Sequence, residues 1–292
     1  MPDPVFPHTE SKVRDVKQVH WDFSGDTVLI TGAAHGQARL HAVTFAHAGA
    51  DIAICDIGHD VDSIYYPMGT VEELEETAEQ CREQGAKVLW RACDVREAAA
   101  MEAFVADAVR ELGKIDVAIA SAGVASIVEV IDMTEQEWDE LLDINLKGVF
   151  LTFKHVARHM VDAGIHGRLI ATGSVHSFTG VPGSAHYVAA KHGVAGLCKS
   201  LAIELAPHKI RVNYVCPTAA NTHMVEALTD PRVPENHGER LFATTGSWNM
   251  LEEGSPPIEP CEITQAMMWL ASDSSMFVTG AALPVDAGFL TK

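Results

Sequence analysis

The sequence contains no CxxC pair, no HExxH, no GxSxG and no run of 18 apolar residues. Each absence removes a class of function. Without HExxH there is no helical zinc-protease signature, and without GxSxG there is no nucleophile elbow of a hydrolase. His35, His41 and His47 recur every six residues, which spreads them around a helix, and His155 and His159 lack a third ligand, so a metal is not expected. No apolar run is long enough to read as a membrane-spanning helix, and residues 1–24 lack the apolar core of a secretory signal. That leader reads as a partly ordered arm, with Trp21 and Phe23 packed on the domain edge. Basic residues are scarce: Lys and Arg total 21 against 40 Asp and Glu, a formal charge of −19 that repels nucleic acid and anionic membranes. The six cysteines are widely spread, and Cys55, Cys93 and Cys216 sit in or beside strand-like runs as small apolar residues, fitting a reduced, cytoplasmic setting.

What is present is a chain of 292 residues, 47% apolar, that alternates short apolar runs with helical patterns from Thr27 onward. Strands are expected at 27–31, 51–56, 87–91, 116–121, 168–172, 211–215 and 281–284. Helical patterns include 71–84, 98–112, 185–205 and a long one over 135–160 that is bent or broken. Continuously apolar strands separated by helices predict an α/β fold: a doubly wound, mostly parallel sheet in one Rossmann-type domain over residues 25–292. In such sheets ligands bind beyond the carboxyl ends of the strands, so the chemistry to examine lies just after each strand.

After the first strand comes Thr31-Gly32-Ala33-Ala34-His35-Gly36-Gln37-Ala38. Gly32 and Gly36 suit a tight turn that lets a pyrophosphate approach a helix N-terminus, although an ordinary strand-to-helix turn can also use two glycines. Asp56 ends the second strand, 20 residues after Gly36. A carboxylate there can accept from a ribose diol and repels a 2′-phosphate, favouring NAD over NADP. His35 is a counter-signal, since a cation in the glycine turn could aid a phosphorylated cofactor, but a neutral imidazole compensates little. Asp94 and Val95 follow the third strand, where they could bracket an adenine, and Ser121, Ala122 and Gly123 follow the fourth.

Tyr187 and Lys191 are four residues apart at the start of a helix and therefore share a face. An ammonium beside a phenol favours the phenolate, so Lys191 is expected to hold the Tyr187 pKa down. Ser174 follows the fifth strand, 13 residues before Tyr187, with Gly180, Pro182 and Gly183 between them to turn the chain back. Ser174 and Tyr187 could then bind one substrate oxygen. Asn145 sits inside the long helical region, where Asn is locally unfavourable, and suggests an irregularity whose carbonyl binds a water linking Lys191 to solvent.

The glycine turn, Ser174, the run Tyr187-Val188-Ala189-Ala190-Lys191 and Asn145 together resemble the short-chain dehydrogenase/reductase family over roughly residues 25–290. Pro217-Thr218-Ala219-Ala220-Asn221-Thr222 looks like that family's segment over the nicotinamide, and Val285-Asp286-Ala287-Gly288 like its closing motif. The resemblance implies a cofactor site that includes His35, Gln37, Ile57, Pro217, Thr218, Ala220 and Thr222, and a homotetramer paired through the two long helices. Three positions depart from the family pattern. Ala38 stands for a third glycine, Ser121 for an asparagine, and Thr218 for a glycine after Pro217.

The stretch from Ile57 to Thr70 exceeds a minimal strand-to-helix link. With His186 and the run through Lys191-His192-Gly193 it resembles the carveol-dehydrogenase-like, mycofactocin-associated subfamily. Members are actinobacterial and can retain their nicotinamide cofactor through turnover, which implies re-oxidation by a redox partner. Residues 223–260, with Met224, Leu228, Leu241, Phe242, Trp248, Met250 and Leu251, suit a substrate lid over a hydrophobic, cyclic secondary alcohol or ketone. Two other functions stay open: an NAD-dependent epimerase or dehydratase with similar Tyr/Lys chemistry, and a non-catalytic cofactor-binding scaffold.

Overall fold

The computed structural model describes residues 19–226, 249–254 and 256–291. Its frame is one seven-stranded, all-parallel sheet in the order β3-β2-β1-β4-β5-β6-β7. The strands are β1 (Thr27–Thr31), β2 (Asp51–Asp56), β3 (Val88–Ala92), β4 (Val117–Ala120), β5 (Arg168–Thr172), β6 (Arg211–Pro217) and β7 (Ala282–Val285). The helices are α1 (Gly36–His47), α2 (Val71–Glu83), α3 (Ala98–Leu112), α4 (Glu135–Leu142), α5 (Gly148–Ala163), α6 (Ala185–Leu205), α7 (His223–Glu226) and α8 (Pro260–Ala271).

Strand residues alternate between two cores, as a side-chain period of two requires. Leu29, Ala53 and Cys55 face the core built with Met101 and Phe104 of α3, Phe153 of α5 and Val194 of α6. Val28, Ile30, Ile52 and Ile54 face the other, with Phe45 of α1, Leu74 of α2 and Met267 of α8. Both faces are covered, which is why these strands read as unbroken apolar runs. Phe23 is buried and stacks edge-on against Phe45 at 4.8 Å, while Trp21 Nε1 donates to Gln265 at 2.9 Å. Residues 1–18 of the arm lie outside the described residues.

Small boundary differences have side-chain causes. The expected strand at 87–91 starts one residue later, because the Lys87 amide donates to the Asp51 carboxylate at 2.9 Å. The one expected at 116–121 is shorter at both ends. Asp116 uses its carboxylate to accept from the Thr27 amide at 2.8 Å, and the Ser121 amide turns to Thr31 Oγ1 at 3.1 Å. β6 runs on to Pro217 because β7 stays paired with it there.

The long helical region is broken in the middle, as the internal Asn suggested. A π-helical turn over Asp143–Lys147 separates α4 from α5. Thr70 and Thr134 begin α2 and α4 with reciprocal caps: each hydroxyl accepts from a glutamate amide three residues on, and that glutamate's carboxylate returns to the threonine amide. Such caps stabilise a helix start by about 1 kcal/mol each.

Candidate active site

The strand order reverses between β1 and β4, and a single cavity opens at the carboxyl ends on both sides of that reversal. Every residue singled out above for the cofactor borders it, and so do Ser174, Tyr187 and Lys191. Asn145 does not border it; this side chain is fully buried behind Gly123.

At the cofactor end, Gly32 has a φ of +76°, and a Cβ there would sit 2.6 Å from the Ala122 Cα. Only glycine permits that approach of the β1 turn to the end of β4. Gly36 has a φ of +61° and faces the Thr222 methyl. Ala38, the residue in place of a third glycine, is buried where α1 meets the sheet. Asp56 is buried and accepts from the Ala34 amide at 2.9 Å and the Ile57 amide at 2.7 Å. Burial raises its carboxyl pKa, against the two amides that hold it down. Burial lowers His35, which stays neutral near pH 7 and so does not supply the cation that would offset Asp56. Asp94 is held by a fork of hydrogen bonds from Arg96, the shortest at 2.7 Å.

The site tolerates its two other departures from the family pattern. Ser121 Oγ accepts from Thr172 Oγ1 at 2.9 Å, and Thr31 Oγ1 accepts from both the Ser121 and Ala122 amides at 3.1 Å. These hydroxyls tie β1, β4 and β5 together at their ends. Thr218 donates its amide to Val285 at 3.2 Å, extending the β6–β7 pairing, and its φ is not positive. Glycine is therefore not required there.

At the other end, Ser174 is buried and caps a short turn over Val175–Ser177. Its Oγ accepts from the His176 amide at 3.2 Å, which leaves its own proton free for a neighbour. Lys191 Nζ donates to the Thr172 carbonyl at 2.8 Å and lies 5.5 Å from the Tyr187 ring centre. Burial lowers its pKa to about 8. The expectation that Lys191 holds the phenol down is corrected here: burial raises Tyr187, and the Ser174 hydroxyl is what pulls it back. The ammonium is spent on a carbonyl beyond the ring, and the desolvation it suffers is suffered by the phenolate as well.

Several contributors were not singled out from the sequence. The stretch after Asp56 folds over the cavity with Val61, Tyr66, Met68 and Gly69 on its lining. Tyr66 Oη accepts from the Ala125 amide at 3.1 Å, Tyr65 donates to Glu137 at 3.0 Å, and the Ser63 amide donates to Glu140 at 3.3 Å. Gly69 packs on Ala34 and beside Asp56 so closely that any Cβ would collide with the Ala34 methyl. Ser126, His176 and Val181 also line the substrate end, with Ser126 Oγ 2.8 Å from His186 Nε2. Of the lid residues, Met224 borders the cavity, whereas Met250 and Leu251 are 54% and 80% exposed and do not. The Met250 amide instead donates to Ala287 at 3.0 Å, drawing that segment onto the carboxyl-terminal turn. Leu228, Leu241, Phe242 and Trp248 lie outside the described residues.

A doubly wound sheet whose reversal point joins a glycine turn to a serine, a tyrosine and a lysine defines a Rossmann-type oxidoreductase. Comparison with known proteins narrows the class. The family described as enoyl-(acyl carrier protein) reductase matches residues 32–290. The (−)-trans-carveol dehydrogenase of Rhodococcus erythropolis is 38% identical over 274 residues, covering 92% of this chain and 98% of that protein. The structure of carveol dehydrogenase from Mycobacterium avium in complex with NAD superposes with a TM-score of 0.85 at 37% identity, covering 93% of this chain and 100% of the other. That of a short chain dehydrogenase from Mycobacterium paratuberculosis bound to NAD does so with a TM-score of 0.85 at 33% identity, covering 92% and 99%. The chain belongs to the short-chain dehydrogenase/reductase family.

Proposed function

We propose that this enzyme is an NAD-dependent dehydrogenase that interconverts a hydrophobic, cyclic secondary alcohol and its ketone. The observation that carries the reading is the single cavity that holds Gly32 and Asp56 at one end and Ser174, Tyr187 and Lys191 at the other. The residues present fit a dinucleotide. Gly32 lets the turn after β1 close against Ala122 at the end of β4, and His35 Nε2 and Gln37 Oε1 are sealed at the turn without a hydrogen-bond partner among the described residues. Asp56 retains lone pairs for a ribose diol, and Asp94, Val95 and Ile57 flank the adenine end. Pro217, Thr218, Ala220 and Thr222 cover the nicotinamide end, with Ser121, Ala122 and Gly123 beneath.

When bound, NAD supplies the hydride acceptor at nicotinamide C4 and, oxidised, a positive charge near the phenol. Ser174 donates its free proton to the substrate oxygen. Tyr187, as phenolate, takes the alcohol proton and returns it in the reverse direction. Lys191 orients the ribose, while the phenol, raised by burial, is lowered by the Ser174 hydroxyl and by the positive charge that oxidised NAD would bring. Asn145 holds the π-turn that carries the water relay from Lys191 to solvent.

Three further features belong to the same reading. The 57–70 stretch over Asp56 and Ala34 favours retention of the cofactor through turnover, with re-oxidation by a redox partner. Phe150 and Ile203, exposed on α5 and α6, favour pairing of these helices in a homotetramer. Among the described cysteines all are unpaired, in keeping with a reduced, cytoplasmic setting. Of the expected lid over 223–260, Met224 and Val225 border the cavity, and residues 227–248 lie outside the described residues.

The deciding experiment is single-turnover spectroscopy of bound NAD with cyclic alcohols, steroids, linear alcohols and polyols, with an artificial electron acceptor present. Apolar cyclic alcohols should react preferentially, and Tyr187→Phe should slow hydride transfer at least about 100-fold while keeping fold and NAD binding. Near-normal transfer in a folded Tyr187→Phe protein rejects the acid/base assignment; preference for polyols rejects the substrate class.

A further inference from the structure

His176 lies in the substrate end of the cavity with no task in the chemistry above. It is only 8% exposed, and its ring centre stands 6.3 Å from that of Tyr187 and 6.0 Å from that of Phe289. Its Nδ1 lies 3.2 Å from Thr179 Oγ1, whose own proton is directed to the Val175 carbonyl at 3.4 Å. Assigning the Thr179 proton to Val175 puts the His176 hydrogen on Nδ1 and leaves Nε2 as an acceptor. Among the described residues Nε2 has no hydrogen-bond partner. His176 itself lines the cavity, and its Nε2 is not among the sealed, unpartnered atoms that include His41 Nε2 and His186 Nδ1. Burial lowers the imidazole to about 4, so it is neutral across the physiological range and attracts no anion.

We propose that His176 Nε2 accepts a hydrogen bond from a second hydroxyl of the substrate, so that the preferred substrate is an apolar ring bearing a further hydroxyl beside the reacting one: a cyclic diol or hydroxyketone. This deepens the dehydrogenase reading and rests on it. The cavity that His176 lines also carries Val175, Val181 and Ile127. An acceptor left dry in such surroundings is costly, and a site built to pair with a hydroxyl discriminates strongly against an analogue that lacks it. Ser174 and Tyr187 are occupied by the reacting oxygen, Ser126 Oγ is paired with His186 and Ser184 Oγ is directed to the Ser126 carbonyl, so the second hydroxyl is assigned to His176. The two rings are neighbours, with centres 6.3 Å apart.

The test compares cyclohexanol with the cyclohexanediol isomers as substrates of the NAD-loaded enzyme, reading kcat and KM separately. For the wild type, at least one diol should exceed cyclohexanol in kcat/KM by about tenfold or more. In His176→Leu that ratio should collapse toward one, mainly through a higher diol KM, and His176→Gln, which restores an acceptor, should recover part of it. Circular dichroism and NAD titration establish that both variants fold. A ratio unchanged in folded His176→Leu overturns the proposal, and so does a wild type that favours cyclohexanol over every diol. Absence of hydride transfer from any alcohol would instead reject the dehydrogenase reading, and this inference with it.

Discussion

Asn145 spends both ends of its side-chain amide on the backbone of Val124, accepting from the amide at 2.8 Å and donating to the carbonyl at 2.7 Å. The pair locks the π-turn to the loop after β4, and Gly123, next in line, would bring a Cβ within 3.2 Å of Asn145 Oδ1 and 3.8 Å of Lys191 Nζ. Replacing Asn145 with Ala strands two buried backbone groups, each costing about 1–3 kcal/mol. The urea midpoint of Asn145→Ala should fall accordingly, and turnover should fall with it as the loop and the lysine lose their common support. An unchanged midpoint would show that the contact is dispensable.

Asp56 has two functions, a charge that faces the cofactor and two oxygens that hold backbone amides. Its oxygens hold the Ala34 and Ile57 amides, so an alanine would unravel the turn as well as remove the charge. Asp56→Asn loses the charge and keeps one of the two acceptor oxygens, so one of the two amides loses its partner. NADP binding should strengthen about tenfold relative to NAD, the effect of roughly 1.4 kcal/mol of relieved repulsion. Titration of both cofactors reads the ratio; a wild type that prefers NADP would mean that another group dominates the pocket.

Retention of the cofactor should depend on Tyr66, which closes the 57–70 stretch over the cavity through the Ala125 amide. Tyr66→Phe removes only that hydrogen bond. Release of NAD, followed by gel filtration and stopped-flow exchange, should quicken about fivefold for a loss of about 1 kcal/mol. Equal release rates would assign retention elsewhere.

Acid stability should be steepened by His41. This fully buried imidazole is lowered to about 3 in the folded protein from 6.5, so between these values the unfolded chain takes up a proton that the folded one does not. Stability therefore rises with pH through this window and is lost as pH falls, by at most about 1.4 kcal/mol per pH unit. Thr264 Oγ1, 2.8 Å from His41 Nδ1, also donates to Pro260 at 3.0 Å and keeps that bond without the imidazole. In His41→Leu the acid limb of stability against pH should be shallower by one proton. An identical slope would refute the assignment.

Assembly is open to light scattering. With Phe150 43% and Ile203 80% exposed on neighbouring helices, the protein should run as a tetramer, and charged replacements at both should shift it to smaller species. A stable, active monomer across concentration would contradict this.

Much of the frame was legible before folding. The starts and ends of α3 and α6 and of β1, β2 and β5 coincide with the expected ones, because apolar periodicity and turn residues are local. So is the spacing of Tyr187 and Lys191, which the helix turns into a shared face. Where reading fell short, the cause was a partner distant in the chain: Asp51 for Lys87, Thr31 for Ser121, and Ala287 for Met250.

The sequence by itself determined the alternation of strands and helices, the groups that stand at each strand end, and the spacing of the acid/base pair, since each depends on residues within a few turns of one another. Only the tertiary structure decided which residues of the 57–70 stretch reach the cavity, that Lys191 donates to Thr172, that burial raises Tyr187, and that His176 stands beside Tyr187 on the cavity lining. Those outcomes come from long-range packing and from desolvation, which belongs to a residue's neighbours in space and leaves no period or spacing along the chain.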